Sequence, residues 1–128
     1  MRILMVDDEV RIRVGIARVL TRRGFAMDQA ATVHETKELL GARQYDAVLL
    51  DWQLPDGDGI DVCTAIRARS RDVHILMFTG RDEHASRLRA FDAGVDDYVV
   101  KSDVDIEEIG ARLRAVARRR GVVSSVPL

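Results

Sequence analysis

Short apolar runs alternate with amphipathic stretches along this sequence, and this alternation constrains the fold more than any other feature. Each of five runs has the length of one strand and is followed by a stretch with helical periodicity. The runs cover residues 2–6, 25–30, 46–50, 74–78 and 97–100, and the helical stretches cover about 9–23, 32–42, 58–69, 83–92 and 106–119. Near-continuous apolar strands are typical of a parallel sheet with helices on both faces. The sequence therefore predicts an α/β fold with a five-stranded parallel sheet and five helices.

Length, charge and cysteine content indicate a single domain from a reducing compartment. A chain of 128 residues can bury one core, and its 20 Lys and Arg nearly balance its 21 Asp and Glu, so no strong attraction to nucleic acid or to a membrane is expected. The single cysteine, Cys63, cannot form an internal disulfide, and no apolar run approaches the roughly 20 residues of a membrane span. We expect a cytoplasmic protein without a signal peptide, with residues 1–120 as the domain and 121–128 as a C-terminal tail or the start of a linker.

The order in which the strands pair decides which side chains meet. Right-handed crossovers leave few topologies, and one of them is the doubly wound, flavodoxin-like order 2-1-3-4-5. In that order strands one and three are neighbours, so Asp7 and Asp8 after the first strand come close to Asp51 after the third. Thr79 ends the fourth strand and Lys101 follows the fifth. We therefore expect all five side chains at the carboxyl edge of the sheet, where such folds bind ligands.

Three clustered carboxylates, one lysine and one hydroxyl suggest phosphate chemistry with a metal ion. Carboxylates repel one another, and an oxygen-preferring cation relieves this repulsion. Mg²⁺ suits the cluster best, because it takes few protein ligands and leaves room for phosphate oxygens. An aspartate can also act as the nucleophile that forms an aspartyl phosphate, while Lys101 and Thr79 contact phosphate oxygens. The simpler alternative is that these are unrelated polar residues at the starts of loops.

Taken together, these motifs make the chain similar to the receiver domains of two-component response regulators over nearly all of residues 2–120. The motifs that carry the resemblance are Val6-Asp7-Asp8-Glu9, Leu49-Leu50-Asp51, Leu54-Pro55-Asp56-Gly57-Asp58-Gly59, Phe78-Thr79-Gly80, Asp92-Ala93-Gly94-Val95-Asp96-Asp97-Tyr98 and Lys101. The resemblance implies that Asp51 accepts phosphate from a histidine kinase, within a signalling domain that is not an enzyme with a separate substrate. It also implies that Lys101 bridges to the phosphoryl group and that Thr79 and Tyr98 form a switch pair.

The same resemblance implies a metal site and two positions that tune the lifetime of the phosphate. Asp8 and Asp51 would bind Mg²⁺ directly, the backbone carbonyl of Gln53 would be the third protein ligand, and Asp7 would bind through water. Phosphate lifetime would depend on the side chains two positions after the phosphoacceptor and after the switch threonine, which are Gln53 and Arg81.

From Arg87 onward the chain resembles the winged-helix (OmpR/PhoB-type) subfamily, whose members dimerise through the fourth helix, the fifth strand and the fifth helix. The matching charged positions are Arg87, Asp92 and Asp97 on one side and Glu108, Arg112 and Arg114 on the other. Opposite charges across a two-fold axis would fix the register of such a homodimer. The alternative is a solvated surface with ordinary pairs inside the chain, such as Glu108 with Arg112. DNA would be reached only through an effector domain outside this sequence, and the output would control transcription.

One departure from the family pattern follows Lys101. The family usually has a proline after this lysine, whereas this chain has Ser102 and Asp103, and the run to Arg112 is one residue longer than usual. A cis peptide bond before a residue other than proline costs about 2.5–4 kcal/mol. The loop is therefore expected either to be strained or to be built differently from that of its relatives.

Other functions remain as alternatives to the phosphorylation switch. One is a receiver-like interaction module that does not depend on phosphate, and the changed loop after Lys101 leaves room for it. Another is a metal-dependent phosphohydrolase, although no separate general acid-base residue is evident. A flavin-binding protein is disfavoured, because no phosphate loop rich in Ser, Thr and Gly follows the first strand. His34, His74 and His84 lack metal-ligand spacing and are expected at the surface or in local hydrogen bonds.

Overall fold

The described part of the chain forms one parallel sheet covered by helices on both faces. The computed structural model describes residues 1–69, 72–103 and 105–121. The strands are β1 (Arg2–Val6), β2 (Ala26–Ala30), β3 (Ala47–Leu50), β4 (Gln53–Leu54), β5 (Gly57–Asp58), β6 (His74–Thr79) and β7 (Asp97–Val100). The helices are α1 (Val10–Arg22), α2 (Val33–Ala42), α3 (Gly59–Arg69), α4 (His84–Ala93) and α5 (Ile106–Arg120).

The five long strands pair in parallel in the order β2-β1-β3-β6-β7. This is the doubly wound, flavodoxin-like order 2-1-3-4-5, so the predicted fold class is confirmed. The register aligns Val6 of β1 with Leu50 of β3, which makes these two central strands end side by side. The topology therefore brings the segments after β1 and β3 together at the carboxyl edge.

Alternating strand residues feed two apolar clusters, one on each face of the sheet. In β1, Leu4 belongs to the cluster beneath α2, α3 and α4, while Met5 belongs to the cluster beneath α1 and α5. All four residues from Ile3 to Val6 are fully buried, because both faces of the strand are covered. Cys63 of α3 is buried within the first cluster, as expected of a core residue.

The helix ends follow the local signals in the sequence. The Thr32 hydroxyl accepts a hydrogen bond of 3.0 Å from the Glu35 amide and thereby caps the start of α2. Gly94 ends α4 with φ of 110°, a left-handed conformation that favours glycine. Within the described residues, no helix combines the length and the apolar character needed to cross a membrane.

Three regions differ in detail from the sequence-based expectations. The turn after Asp51 contains a two-stranded antiparallel ladder, β4–β5, that no pattern predicts. The side chain of His74 is only 12% exposed and its Nδ1 atom lies 3.8 Å from Asp96 Oδ2, whereas a position at the surface or in a local hydrogen bond was expected. The predicted tail or linker covers residues 121–128. Only its first residue, Gly121, lies within the described residues.

The loop after Lys101 is built differently, not closed by a cis bond. Among the described residues no peptide bond is cis. The Lys101 amide donates to the Thr79 carbonyl at 2.9 Å, and the Asp103 amide donates to the Val100 carbonyl at 3.0 Å. The first bond extends the pairing of β7 with β6 by one residue, and the second closes a tight turn directly after β7. Of the two alternatives left open by Ser102, the structure adopts the second.

Candidate functional site

Three aspartates from two strand ends form an acidic cluster at the carboxyl edge of the sheet. Asp7 and Asp8 follow β1, and Asp51 follows β3. The Asp51 amide donates to the Val6 carbonyl at 3.0 Å, which fixes the two strand ends against each other. Each of the three carboxylates contributes one oxygen to a group whose members lie within 4.8 Å of one another. The convergence predicted from strand order is therefore present in the structure.

Lys101 supplies a positive charge to the two buried members of this cluster. Asp7 is fully buried and Asp51 is 8% exposed, while Asp8 is exposed. The Lys101 Nζ atom lies 2.8 Å from Asp7 Oδ2 and 3.2 Å from Asp51 Oδ2. One ammonium group therefore pairs with two buried carboxylates. The cluster as a whole has three carboxylates and one lysine.

This unequal charge count changes the protonation of the site. Burial raises the pKa of the Asp51 carboxyl above its usual value, and the nearby Asp7 charge adds to this effect while Lys101 opposes it. For Lys101, burial alone would lower the pKa of the ammonium group, but the hydrogen bond to Asp7 and the charge of Asp51 raise it. The lysine is therefore held in its charged form, whereas the ionised form of Asp51 is disfavoured by its surroundings.

The donor set fits a hard divalent cation. Apart from the Lys101 ion pair, Asp7 Oδ2 has no hydrogen-bond partner among the described residues, although the atom is buried. Buried carboxylate oxygens without donors are expensive unless a cation balances them. Mg²⁺ prefers such oxygen ligands and retains several waters, which the exposed position of Asp8 allows.

A shallow cleft opens above these acids. Asp51 and Lys101 lie within it, and Thr79 closes one side from the end of β6. The full lining consists of Asp8, Asp51, Gln53, Leu54, Pro55, Thr79, Gly80, Arg81 and Lys101. Every residue predicted for the metal or phosphate site lines this cleft, except Asp7, which is buried beneath it, and Tyr98.

The segment after Asp51 returns sharply and fixes the carboxylate from behind. Asp51 Oδ1 accepts a hydrogen bond of 2.8 Å from the Trp52 amide, and the Trp52 carbonyl accepts one of 2.6 Å from Gly59. A Cβ atom on Gly59 would lie 2.2 Å from the Asp51 carbonyl oxygen, so only glycine allows this close approach. The Pro/Gly turn of the sequence therefore positions the candidate phosphoacceptor.

Asp56 anchors the same segment to the neighbouring helix. Its two carboxylate oxygens accept hydrogen bonds from the Val33 amide at 2.7 Å and the His34 amide at 3.0 Å, at the first turn of α2. These bonds lower the pKa of the Asp56 carboxyl, because they favour its ionised form. Sequence reasoning missed this anchor, since nothing local to Asp56 indicates a partner 23 residues away.

The predicted switch residues meet through a third residue. Thr79 Oγ1 accepts a hydrogen bond of 3.3 Å from the Arg81 amide. The Tyr98 hydroxyl donates to the Arg81 carbonyl at 2.8 Å, and the Tyr98 side chain packs beneath Arg87 and beside Phe91. Tyr98 is only 9% exposed. Arg81 thus joins Thr79 to Tyr98 through two hydrogen bonds.

The charged positions of the predicted dimer face make pairs within the chain. Arg112 binds Asp97 at 2.9 Å and Glu108 at 3.0 Å, and Arg87 pairs with Asp82. The pair inside α5 is the one that the solvated-surface alternative expects. The other two predicted positions, Asp92 and Arg114, are exposed, as are the apolar side chains of Leu88 (51%) and Phe91 (47%) on α4.

Comparisons with known proteins agree on one family. A family profile described as "Response regulator receiver domain" matches residues 3–114. The chain is 39% identical over 118 residues to "Response regulator MprA" of Mycolicibacterium vanbaalenii, covering 92% of this chain and 51% of that protein. It is also 39% identical over 119 residues to the protein of the same name in Mycobacterium leprae, covering 93% and 52%. The chain therefore spans about half the length of these relatives.

Solved structures are similar over nearly the whole chain. A two-component response regulator from Clostridium difficile superposes with a TM-score of 0.89 at 29% identity, covering 94% of this chain and 98% of that one. The response regulator TrrA of Thermotoga maritima, solved in complex with Mg²⁺ and beryllium fluoride, superposes with a TM-score of 0.80 at 31% identity, covering 90% and 97%.

Proposed function

This chain belongs to the response regulator receiver domain family, and from that premise we propose that Asp51 is its phosphoacceptor, taking phosphate from a histidine kinase. One observation carries the proposal: the Asp51 carboxylate lies in a cleft at the carboxyl edge of the sheet, paired with Lys101 and close to Asp7 and Asp8. Such a carboxylate is poorly solvated and therefore a better nucleophile than one in water.

The transfer is a displacement at phosphorus. A carboxylate oxygen of Asp51 attacks the phosphorus atom of a phosphohistidine, the P–N bond breaks, and its electron pair stays on the imidazole nitrogen. The products are an aspartyl phosphate and the free histidine. Lys101, which lies 3.2 Å from Asp51, is placed to stabilise the negative charge of the phosphoryl oxygens. The Thr79 hydroxyl at the side of the cleft is the second donor.

We propose that Mg²⁺ is the cofactor of this reaction. Asp8, Asp51 and the backbone carbonyl of Gln53 would bind it directly, and Asp7 would bind it through water. Bound Mg²⁺ neutralises charge on the phosphoryl oxygens and orients them. The grouping of three carboxylates and the buried Asp7 Oδ2 atom support this assignment, as does the Mg²⁺ complex of the Thermotoga maritima relative.

The output of this switch is proposed to pass through the α4–β7–α5 face. Arg81 links Thr79 in the cleft to Tyr98 on that face, so a change at Asp51 has a structural route to the surface. We propose that the face forms a homodimer through Arg87, Asp92, Asp97, Glu108, Arg112 and Arg114, in a cytoplasmic regulator whose effector domain binds DNA. Exposed Leu88 and Phe91 on α4 support an interface there, since large apolar side chains gain from burial.

A second candidate function is an interaction module that does not depend on phosphate. The turn of Lys101 to Asp103, which replaces the usual proline, favours it, because this turn sets the aim of the lysine. The acid cluster favours the phosphorylation switch instead, since a binding module has no need of three crowded carboxylates. We therefore retain phosphorylation as the proposed function.

Labelling with a radioactive small-molecule phosphodonor and Mg²⁺ tests the proposal. The wild-type protein should incorporate acid-labile phosphate, and Asp51→Asn, which keeps the shape but removes the nucleophile, should incorporate none. Asp61→Asn is the matched control, because Asp61 is an exposed acid of α3 outside the cleft. Labelling of Asp51→Asn at the wild-type level would refute the assignment.

A further inference from the structure

Arg81 contacts four parts of the candidate site: Thr79, Tyr98, the cleft and the Trp52 ring. Its amide and carbonyl bind Thr79 and Tyr98, and the residue lines the cleft above Asp51. Its guanidinium carbon lies 4.7 Å from the centroid of the Trp52 ring, within the range of a cation–π interaction. The residue therefore touches the switch pair and, through Trp52, the residue next to the candidate phosphoacceptor.

The Arg81 guanidinium has no carboxylate partner among the described residues. Two arginines of the α4–β7–α5 face differ: Arg87 pairs with Asp82, and Arg112 pairs with two acids. The ring of Trp52 is thus the contact that holds the Arg81 head group. A cation held only by an aromatic face can leave it for an anion at modest cost, because charge-assisted hydrogen bonds are the stronger contact.

The guanidinium groups that cover the Trp52 ring can move without breaking a hydrogen bond of the indole. The side chain is 1% exposed, and Arg89 of α4 lies 5.6 Å from the same ring centroid. The indole Nε1 atom is buried and has no hydrogen-bond partner among the described residues. The ring is therefore kept in place by apolar packing and by two guanidinium groups. Movement of either guanidinium would break no hydrogen bond of the indole.

The negative charge of a phosphorylated cleft would attract the Arg81 guanidinium. Asp7, Asp8 and Asp51 against Lys101 leave a formal charge of minus two, which one Mg²⁺ would balance. Phosphorylation replaces one carboxylate charge with a group of about −1.5 to −2, so the balanced site becomes negative again. Of the two cations that line the cleft, Lys101 is paired with two acids, whereas Arg81 has no carboxylate partner among the described residues.

We propose that Trp52 is a positioning residue, whose ring holds the Arg81 guanidinium until a phosphoryl group on Asp51 draws it into the cleft. This inference rests on the proposed phosphorylation of Asp51. The backbone of Arg81 is bonded to both Thr79 and Tyr98, so the residue whose guanidinium would leave the Trp52 ring is also the one that joins the switch pair. The same displacement uncovers the Trp52 ring, leaving Arg89 as its remaining cation.

The inference can be tested directly, because Trp52 is the only tryptophan in the chain. Acrylamide quenching of its fluorescence is measured without and with Mg²⁺ and beryllium fluoride, the phosphoryl mimic bound by the Thermotoga maritima relative. In the wild-type protein the quenching constant should rise by about twofold, since the ring loses one of its two covering cations. In Arg81→Gln the constant should be high from the start and should not rise.

Arg89→Gln is the matched control, because Arg89 covers the same ring but does not line the cleft. Its quenching constant should start above the wild-type value and still rise when beryllium fluoride is added. A wild-type rise in Arg81→Gln would overturn the inference, and so would loss of the rise in Arg89→Gln, which would assign the signal to movement of α4. Thermal unfolding of each variant establishes that it is folded.

Failure of this inference is distinguishable from failure of the proposed function. If the wild-type protein incorporates acid-labile phosphate but its quenching constant does not change, Asp51 remains the phosphoacceptor and the role of Trp52 is refuted. If no phosphate is incorporated at Asp51, the proposed function fails by the labelling assay itself, and the inference fails with it. A rise in quenching that requires Arg81 supports the inference.

Discussion

The two edges of the sheet compensate the charges of their acids differently. At the carboxyl edge, buried Asp7 and Asp51 share the ammonium group of Lys101. At the amino edge, Asp96 is bound by the Arg67 guanidinium and accepts a hydrogen bond of 2.8 Å from the Ile75 amide. The two buried acids of the carboxyl edge thus share one cation, and Asp7 Oδ2 has no other partner among the described residues. Asp96 at the amino edge has a guanidinium of its own and a backbone donor.

A second group at the amino edge follows the same rule. Asp28 is contacted by Arg2 at 3.4 Å and Arg43 at 3.6 Å, and it accepts a hydrogen bond of 2.7 Å from the Tyr45 hydroxyl. Burial and the Asp28 contact raise the pKa of Tyr45 to about 12, so this hydroxyl remains a donor over the whole physiological range. Two arginines and one hydroxyl therefore compensate the charge of this single acid.

The difference indicates which edge is built for stability and which for chemistry. Uncompensated buried charge lowers stability unless a ligand binds, and functional sites commonly carry this cost. At the carboxyl edge a cation would supply the missing compensation. Removal of a cation should therefore destabilise both edges but respond to Mg²⁺ only at the carboxyl edge, and removal of an acid should have opposite signs at the two edges.

The largest effect is expected from Lys101→Met, which removes the ammonium group between two buried carboxylates. Breaking such a pair typically costs about 3–5 kcal/mol, because the charges left behind are buried and unpaired. Urea unfolding without Mg²⁺ should show this loss, and saturating Mg²⁺ should restore part of it. If Lys101→Met unfolds at the wild-type urea concentration, the carboxyl edge is less strained than we infer.

The matched substitution at the amino edge is Arg67→Met, which keeps the aliphatic stem of the side chain. It removes hydrogen bonds of 2.8 Å to the Gly94 carbonyl and 2.6 Å to the Val73 carbonyl, together with the Asp96 pair. We expect a loss of about 2 kcal/mol, because buried acceptors remain without donors. Mg²⁺ should restore none of it, and a rescue equal to that of Lys101→Met would contradict the proposed distinction between the edges.

Smaller changes in the free energy of unfolding, opposite in sign to each other, are expected for Asp51→Asn and Asp28→Asn. The raised pKa of Asp51 means that its ionised form is disfavoured in the fold, so Asp51→Asn should raise the free energy of unfolding at neutral pH by about 1 kcal/mol. Asp28→Asn should lower it by about 1 kcal/mol, because the charge that binds two arginines is lost. Equal signs in parallel denaturation curves would refute the comparison.

The sequence predicts the acidic cluster well, because the cause of its formation is regular. Apolar runs mark where strands end, and parallel pairing brings neighbouring strand ends together, so Asp8 and Asp51 meet whatever the details of the loops. The contacts of Arg67, Arg81 and Asp56 could not be predicted in this way. Each joins residues that only tertiary packing brings close, such as the Arg67 pair with Asp96, separated by 29 residues.

The smallest predicted effect concerns the pH dependence of stability, which should differ between the two edges. Burial lowers the pKa of His74, against the charges of Asp96 and Asp97, so the unfolded chain takes up this proton more easily than the fold does. The stability that neutral His74 contributes is therefore complete above the ordinary histidine pKa of about 6.5 and is lost as the pH falls through the lower folded value. Asp51 behaves in the opposite way, since its raised pKa lets the fold take up a proton first and relieves the carboxyl edge.

Urea unfolding between about pH 5 and 7.5 separates these contributions, because the range spans the ordinary pKa of histidine. His74→Gln should flatten the loss of stability below pH 6.5 by less than about 1 kcal/mol, since a single shifted group is removed. His84→Gln, an exposed histidine of α4, is the matched control for the change in composition. Asp51→Asn should steepen the same loss, because the acid-induced relief at the carboxyl edge disappears. Acid would then weaken the fold at the amino edge and reduce the repulsion among the carboxylates at the carboxyl edge. If the wild-type protein and the three variants lose stability with the same pH slope, burial and not charge compensation distinguishes the two edges.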